Sequence, residues 1–317
     1  MSVAPNPGRR RLAVAALAVV VVVGVAIAGY VLRSGDDGDG DTTAIRARGR
    51  TSSSTTTTTT TTPPTTAAPE TTAPPDTTTA PAPPAPVASA APAAPPTGGL
   101  AGKTVLVDPG HNGQNWAHTD EINRPIDIGT QTRACDTTGT ATDAGYPESE
   151  YTLDVALRLR SLLQAAGANV VMTRTDNGGW GPCIDERAAI GNNAGATVAI
   201  SIHADGGPAE GRGFHVIQPA SVPGLTDGIA GESGRLALAV RDAYAAGTGM
   251  PYADYLGSAG LSVRSDLGGL NLSTVPKVFI ETGNMRNGTD ASLLTDAGFR
   301  QQAAESLLAG LRAYMGG

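Results

Sequence analysis

Two of the chain's 4 histidines close short apolar runs rich in β-branched residues, and chemistry is expected there. Val105-Leu-Val-Asp-Pro-Gly-His111 stops at a Pro-Gly turn and presents an imidazole just past it. Thr197-Val-Ala-Ile-Ser-Ile-His203 ends on a second imidazole, followed by Ala204-Asp-Gly-Gly207. A third run, Val275-Pro-Lys-Val-Phe-Ile-Glu281, ends on a carboxylate before Thr282-Gly-Asn284. Such runs read as buried strands whose C-terminal ends open into loops, where open α/β sheets put their sites. Imidazoles and a carboxylate brought to one sheet edge suggest a metal; zinc takes such a set and leaves a fourth position to water. Another candidate carboxylate lies in Tyr146-Pro-Glu-Ser-Glu150. There a glutamate either turns toward the strand ends or is simply a favourable charge at a helix N-terminus. The other two histidines lack this setting: His118 reads as loop surface and His215 as a strand residue.

To share an edge, the strands carrying His111 and His203 must be parallel, and the surrounding pattern agrees. Strands are expected at Lys103–Val107, Asn169–Thr173 and Gly213–Ile217, besides those ending at His203 and Glu281. Helices are expected at Glu150–Ala166, capped by Gly167, and at Asp185–Asn193, Glu232–Ala246 and Phe299–Tyr314. This alternation predicts an α/β protein, a mostly parallel central sheet with helices on both faces. In the first helix Val155, Leu159, Leu162 and Ala166 recur on one face, which should lie against that sheet.

Glycine at 41, proline at 23 and 4% aromatic residues are too poor for one core spanning 317 residues. The bias sits in the first hundred residues, so one folded domain is expected over 101–317. Leu12 to Leu32 is an apolar stretch long enough for a bilayer's hydrocarbon core of ~30 Å, flanked by Arg9-Arg-Arg11 and Arg33. Residues 1–33 therefore read as a cytoplasmic tip and transmembrane anchor, with Ala26-Ile-Ala28 keeping a cleaved signal peptide, and hence secretion, open as the alternative. Residues 34–100 are Thr, Pro, Ala and Ser with an unbroken run from Thr55 to Thr62, and read as a disordered tether. At up to ~3.1 Å per residue it could reach on the order of 100–200 Å. Either reading of the N-terminus puts the domain outside the cytoplasm, in the cell envelope. The formal net charge of −7 argues against nucleic acid as a partner.

Together these motifs resemble the zinc-dependent N-acetylmuramoyl-L-alanine amidases of the Amidase_3 type. The likeness rests on Val-Asp-Pro-Gly-His111, a glutamate five residues before a helix leucine, Ser-Ile-His203-Ala-Asp and Val-Phe-Ile-Glu281-Thr-Gly-Asn, and covers Lys103 to Tyr314. Asp-Pro-Gly-His-Asn-Gly and Gly181-Pro-Cys-Ile-Asp-Glu-Arg187 are similar to the actinobacterial branch, and Asn112 stands where the family usually has a second glycine. The resemblance implies hydrolysis of the amide joining N-acetylmuramic acid to L-alanine of the peptidoglycan stem peptide. It implies one Zn²⁺ held by His111, Glu148 and His203, with Glu281 as general base. The stretch 263–271 resembles the family's substrate-side loop, which makes Arg264 and Asn271 candidates for substrate binding. Another zinc hydrolase acting on wall peptides could use the same ligands, and a non-catalytic wall-binding relative should lack one of the four residues.

Three finer expectations follow. Positions i and i+2 of a helix face different sides, so Glu148 and Glu150 cannot both meet one metal; Pro147 starts the helix and leaves Glu148 nearest the strand ends, and the family pattern agrees. Cys135 and Cys183, the only cysteines of an exported domain, are expected to form a disulfide. Only the loop between Asn112 and Pro147 is long enough to cover the site, as a flexible or hairpin flap, so no autoinhibitory helix is expected. The catalytic domain is expected to work unaided and as a monomer.

Overall fold

A computed structural model of the protein describes residues 99–316. The expected anchor at 1–33 and nearly all of the tether at 34–100 lie outside the described residues. Among those described, no helix is long and apolar enough to cross a membrane. In chain order the elements are β1 (Thr104–Pro109), α1 (Thr119–Ile122), β2 (Pro125–Asp127), β3 (Thr132–Ala134), α2 (Glu148–Ala165), β4 (Asn169–Met172), α3 (Ile184–Asn193) and β5 (Val198–Asp205). They continue with β6 (His215–Pro219), α4 (Asp227–Thr248), β7 (Leu261–Arg264), α5 (Gly268–Asn271), β8 (Lys277–Asn284), α6 (Gly288–Thr295) and α7 (Ala297–Met315).

Six strands form one sheet in the order β4-β1-β5-β8-β6-β7. The four from β4 to β8 are parallel, while β6 pairs antiparallel with β8 and carries β7 parallel to itself. The sheet is thus α/β and mostly parallel, as the alternation predicts. Helices α2, α4 and α7 cover one face through Val155, Leu159, Leu163, Leu236, Val240, Leu307 and Leu311, all fully buried. Each such side chain contributes roughly 1.5–3 kcal/mol on leaving water. On the other face Ile190 of α3 packs with Leu106 and Ala199. The buried stripe of α2 includes Leu163, with Leu162 only partly covered, a small rotation from the predicted face.

Several boundaries differ for physical reasons. β1 runs on through Asp108 and Pro109, because the ladder to β5 continues after the ladder to β4 ends at Val107, leaving the proline with no bond to donate on that side. β5 and β8 run on past His203 and Glu281, so these residues sit within the strands near their ends. α4 starts at Asp227, five residues earlier than expected; Gly228 and Gly231 weaken the helical signal there, and packing of the apolar face against the sheet overrides it. The loop between Asn112 and Pro147 holds the β2–β3 hairpin, which the Cys135–Cys183 disulfide ties to the start of α3. Closing a loop of 48 residues constrains the unfolded chain by about 4 kcal/mol.

Candidate metal centre

His111, Glu148 and His203 converge: one ligand atom from each lies within 4.8 Å of the others. Adjacent parallel β1 and β5 deliver the two imidazoles, and α2 delivers the carboxylate from its first position, where Pro147 is the cap residue. Gly110 has to be glycine here, since a Cβ would stand 2.1 Å from the His203 ring. Gly139, at φ +75°, closes over the same place with room for no Cβ against His111 and Glu148. His111 itself is left-handed, φ 56°, a strained conformation for a residue with a side chain. Its carbonyl is gripped by Arg187 Nη2 at 2.9 Å, which helps hold that conformation.

The ring orientations suit metal binding. His111 Nδ1 lies 3.0 Å from the Thr137 carbonyl and 3.3 Å from Asp136, which leaves Nε2 toward Glu148 Oε2 at 3.1 Å. His203 Nδ1 meets Glu148 Oε1 at 2.8 Å, and its ring stacks on Phe279 with centroids 3.9 Å apart. Burial disfavours charge on both rings. At His203 burial prevails and the pKa is lowered, as a neutral ligand requires; at His111 the Glu148 and Asp136 carboxylates outweigh it and raise the pKa to about 10. Burial alone would raise the Glu148 carboxyl, yet the two imidazoles hold it well below the usual range. Two carboxylates that hold a proton on His111 make this a place that attracts a cation, and the His₂Glu donor set fits zinc.

Glu281 is in register with His203 and shares its face of the sheet. Its Oε2 is buried with no hydrogen-bond partner among the described residues, and it lines a cavity of about 490 Å³ together with the three ligand residues. Burial, Glu148 and Asp205 all push its carboxyl well above the ordinary range. Glu150 is exposed on α2, away from the cluster. Arg264 reaches the cavity mouth, where Asp266 pairs with it at 2.7 Å. Asn271 does not: it is 1% exposed, its amide donates to Ile128, Thr130 and Ser265, and it fastens the hairpin to the loop before α5. Asn271, expected from the resemblance to bind substrate, is therefore placed in the support of the loop and not in the lining of this cavity. His118 is on the loop surface and His215 is buried in β6, as their settings predict.

Sequence reasoning missed the floor. Asp108 accepts from Thr173 at 2.8 Å, Ser201 at 2.6 Å, Arg187 at 2.8 Å and Lys277 at 3.1 Å, all buried. Arg187 also reaches Asp136 at 3.2 Å, and through it His111. Burial opposes the Asp108 charge, but Lys277 and Arg187 hold its pKa well below the usual value. The signal was present: an aspartate and a lysine inside apolar strands each need a buried partner, and they are in fact each other's.

A buried His–Glu–His cluster at parallel strand ends, facing an acid with an unmet oxygen across an open cavity, is the architecture of a metal-dependent hydrolase. The chain belongs to the Amidase_3 family, described as N-acetylmuramoyl-L-alanine amidase, whose pattern matches residues 105–313. It is similar to an N-acetylmuramoyl-L-alanine amidase of Mycobacterium tuberculosis, 43% identical over 217 residues that cover 68% of this chain and 88% of the relative. Its fold is similar to crystal structures of N-acetylmuramyl-L-alanine amidases from Mycobacterium smegmatis, at 44% identity and TM-score 0.65, and Mycobacterium abscessus, at 43% and 0.64. These cover 68% of this chain and 98% and 99% of theirs, in keeping with the actinobacterial branch.

Proposed function

We propose that the protein hydrolyses the amide between the lactyl group of N-acetylmuramic acid and L-alanine of peptidoglycan stem peptides, with one zinc ion held by His111, Glu148 and His203. The observation that carries this is the convergence of those three ligand atoms within 4.8 Å beside the unpartnered Glu281 oxygen. Zinc bound there would lower the pKa of a water toward ~7 and polarise the scissile carbonyl.

The chain's own groups do the rest. Glu281 accepts the proton of the attacking water as its oxygen bonds to the carbonyl carbon. It then delivers that proton to the alanine nitrogen as the C–N bond breaks. A carboxyl whose pKa is raised by burial and two neighbouring acids suits both steps, because it holds the proton between them. Asp136 and the Thr137 carbonyl fix the His111 ring, and Phe279 fixes that of His203. At the mouth Arg264 meets a carboxylate of the stem peptide.

The domain acts in the cell envelope, outside the cytoplasm, as a monomer. N-terminal to it, residues 1–33 serve either as a membrane anchor or as a cleaved signal. The test is the purified chain on purified wall: release of stem peptides with a free alanine amine, at one zinc per chain, is the expected result. Cleavage elsewhere in the wall peptide would make this another zinc hydrolase.

A further inference from the structure

The chain has only 2 tryptophans, and both stand in water on loops stitched to the metal-binding loop. Trp116 is 68% exposed and Trp180 39%. Neither is loosely held. Trp116 sits in a single 3-10 turn beside Asn115, which is fully buried; the Asn115 amide donates to Asp136 at 3.1 Å and Thr137 at 2.8 Å, and its oxygen accepts from Gly181 at 2.9 Å. Trp180 directly precedes that same Gly181, whose carbonyl accepts from Asn112 at 3.0 Å and from Arg187 Nη2 at 3.1 Å. That nitrogen also holds the carbonyl of His111. The Trp180 ring stacks on His118, centroids 5.6 Å apart.

A large apolar ring held in solvent by a buried bracing residue forgoes roughly 1.5–3 kcal/mol of burial, which a folded chain recovers only when something covers the ring. The surroundings decide what. The rings rise from polar and glycine-rich segments, Asn112-Gly-Gln-Asn-Trp116 and Asp176-Asn-Gly-Gly-Trp180, whose neighbours along the chain offer amides rather than the apolar side chains a protein or lipid surface needs. An indole face among amides matches the face of a pyranose, which presents axial C–H groups to a ring and hydroxyl and acetamido groups to its sides.

We propose that Trp116 and the Trp180–His118 stack form a glycan platform, on which N-acetylhexosamine units of the wall polysaccharide lie while the attached stem peptide enters the cavity. This rests on the amidase reading for the orientation of the substrate, and it adds a contact that reads the sugar strand beside the scissile bond. The platform selects polymeric wall over free peptide.

The experiment titrates the full chain with a soluble hexamer of β-1,4-linked N-acetylglucosamine, with no turnover required, and reads emission of the two tryptophans. The expected result is a saturable blue shift. Trp116→Ala and Trp180→Ala should each weaken binding by about tenfold, the loss typical of a truncated aromatic anchor. Trp116→Tyr keeps a ring and should stay within about threefold, and Leu238→Ala, which removes an exposed apolar side chain on α4, should change nothing. On insoluble wall the two alanine variants should raise KM and keep kcat. Absence of binding by the wild-type chain, equal binding by the alanine variants, or an equal loss in Leu238→Ala would each overturn the platform. Stem-peptide release is measured separately, so a chain that binds the hexamer but releases none sinks the amidase reading and leaves the platform standing.

Discussion

Two sets of ion pairs border the same cavity and are built differently. Beneath the ligands, Asp108, Arg187, Asp136 and Lys277 pair with side chains between 1% and 7% exposed. At the mouth, Arg133 of the hairpin and Arg264 of β7 share Asp266, with side chains between 29% and 44% exposed. In the floor every charge is out of water, so removing one member strands the rest. At the mouth water replaces any lost partner. The floor therefore fixes the geometry of His111 and its neighbours, and under the proposed function the rim exchanges Asp266 for a substrate carboxylate.

The largest effect is expected at the residues that the floor supports. Glu148→Ala should lose tightly held zinc and activity together, whereas Glu150→Ala keeps both. Metal analysis of the two variants side by side decides, and zinc kept in the former but lost in the latter reverses the assignment. Next comes the floor itself. Asp108→Ala leaves Lys277 buried without a counter-charge and Arg187 with Asp136 alone, and should destabilise the fold by about 3–5 kcal/mol, read from denaturant midpoints.

Acid sharpens the same point. Burial opposes the Asp136 charge, but the His111 hydrogen bond and Arg187 bring its pKa down from 3.8 to about 2. A depressed carboxyl stabilises fully above its unfolded pKa and loses that contribution as pH falls through its folded one. The stability gap between wild type and Asp136→Asn, roughly 2 kcal/mol in size, should hence be flat above pH ~4 and close as pH falls toward ~2. A gap unchanged at pH ~2 contradicts the pairing. The smallest effect is expected at the rim: Arg133→Ala should change stability by only about 0–1 kcal/mol, with any kinetic change confined to KM.

The sheet, with His111, His203 and Glu281, was legible because these strands are short apolar runs that lead to a turn and a polar group; Glu148, the first residue of α2, was read instead from Pro147 and helix geometry. The antiparallel reversal at β6 was not, since a buried strand looks the same in either direction. Helix α6 and strand β7 were also missed; Leu261-Ser-Val-Arg264 is too short to show a period, and α6 begins at a glycine behind its Asn287 cap. At the site His111, Glu148 and His203 were legible by position as residues that converge, while the part Asp108 plays beneath them was overlooked because its partners Arg187 and Lys277 lie far away in the sequence. Asn271 was named from a loop's resemblance, which does not say which side chains the loop turns inward, and here its amide donates to backbone carbonyls.

The assignment of roles turns on Glu281, which differs from the ligands only in what it does. Glu281→Gln keeps the shape of the side chain and removes the base. Zinc per chain and stem-peptide release, measured on the same preparation, test this directly. If Glu281 is the base, about one zinc is retained and turnover falls by roughly 10²–10⁴, the usual contribution of a positioned general base. Zinc lost from that variant, or turnover kept, would contradict it.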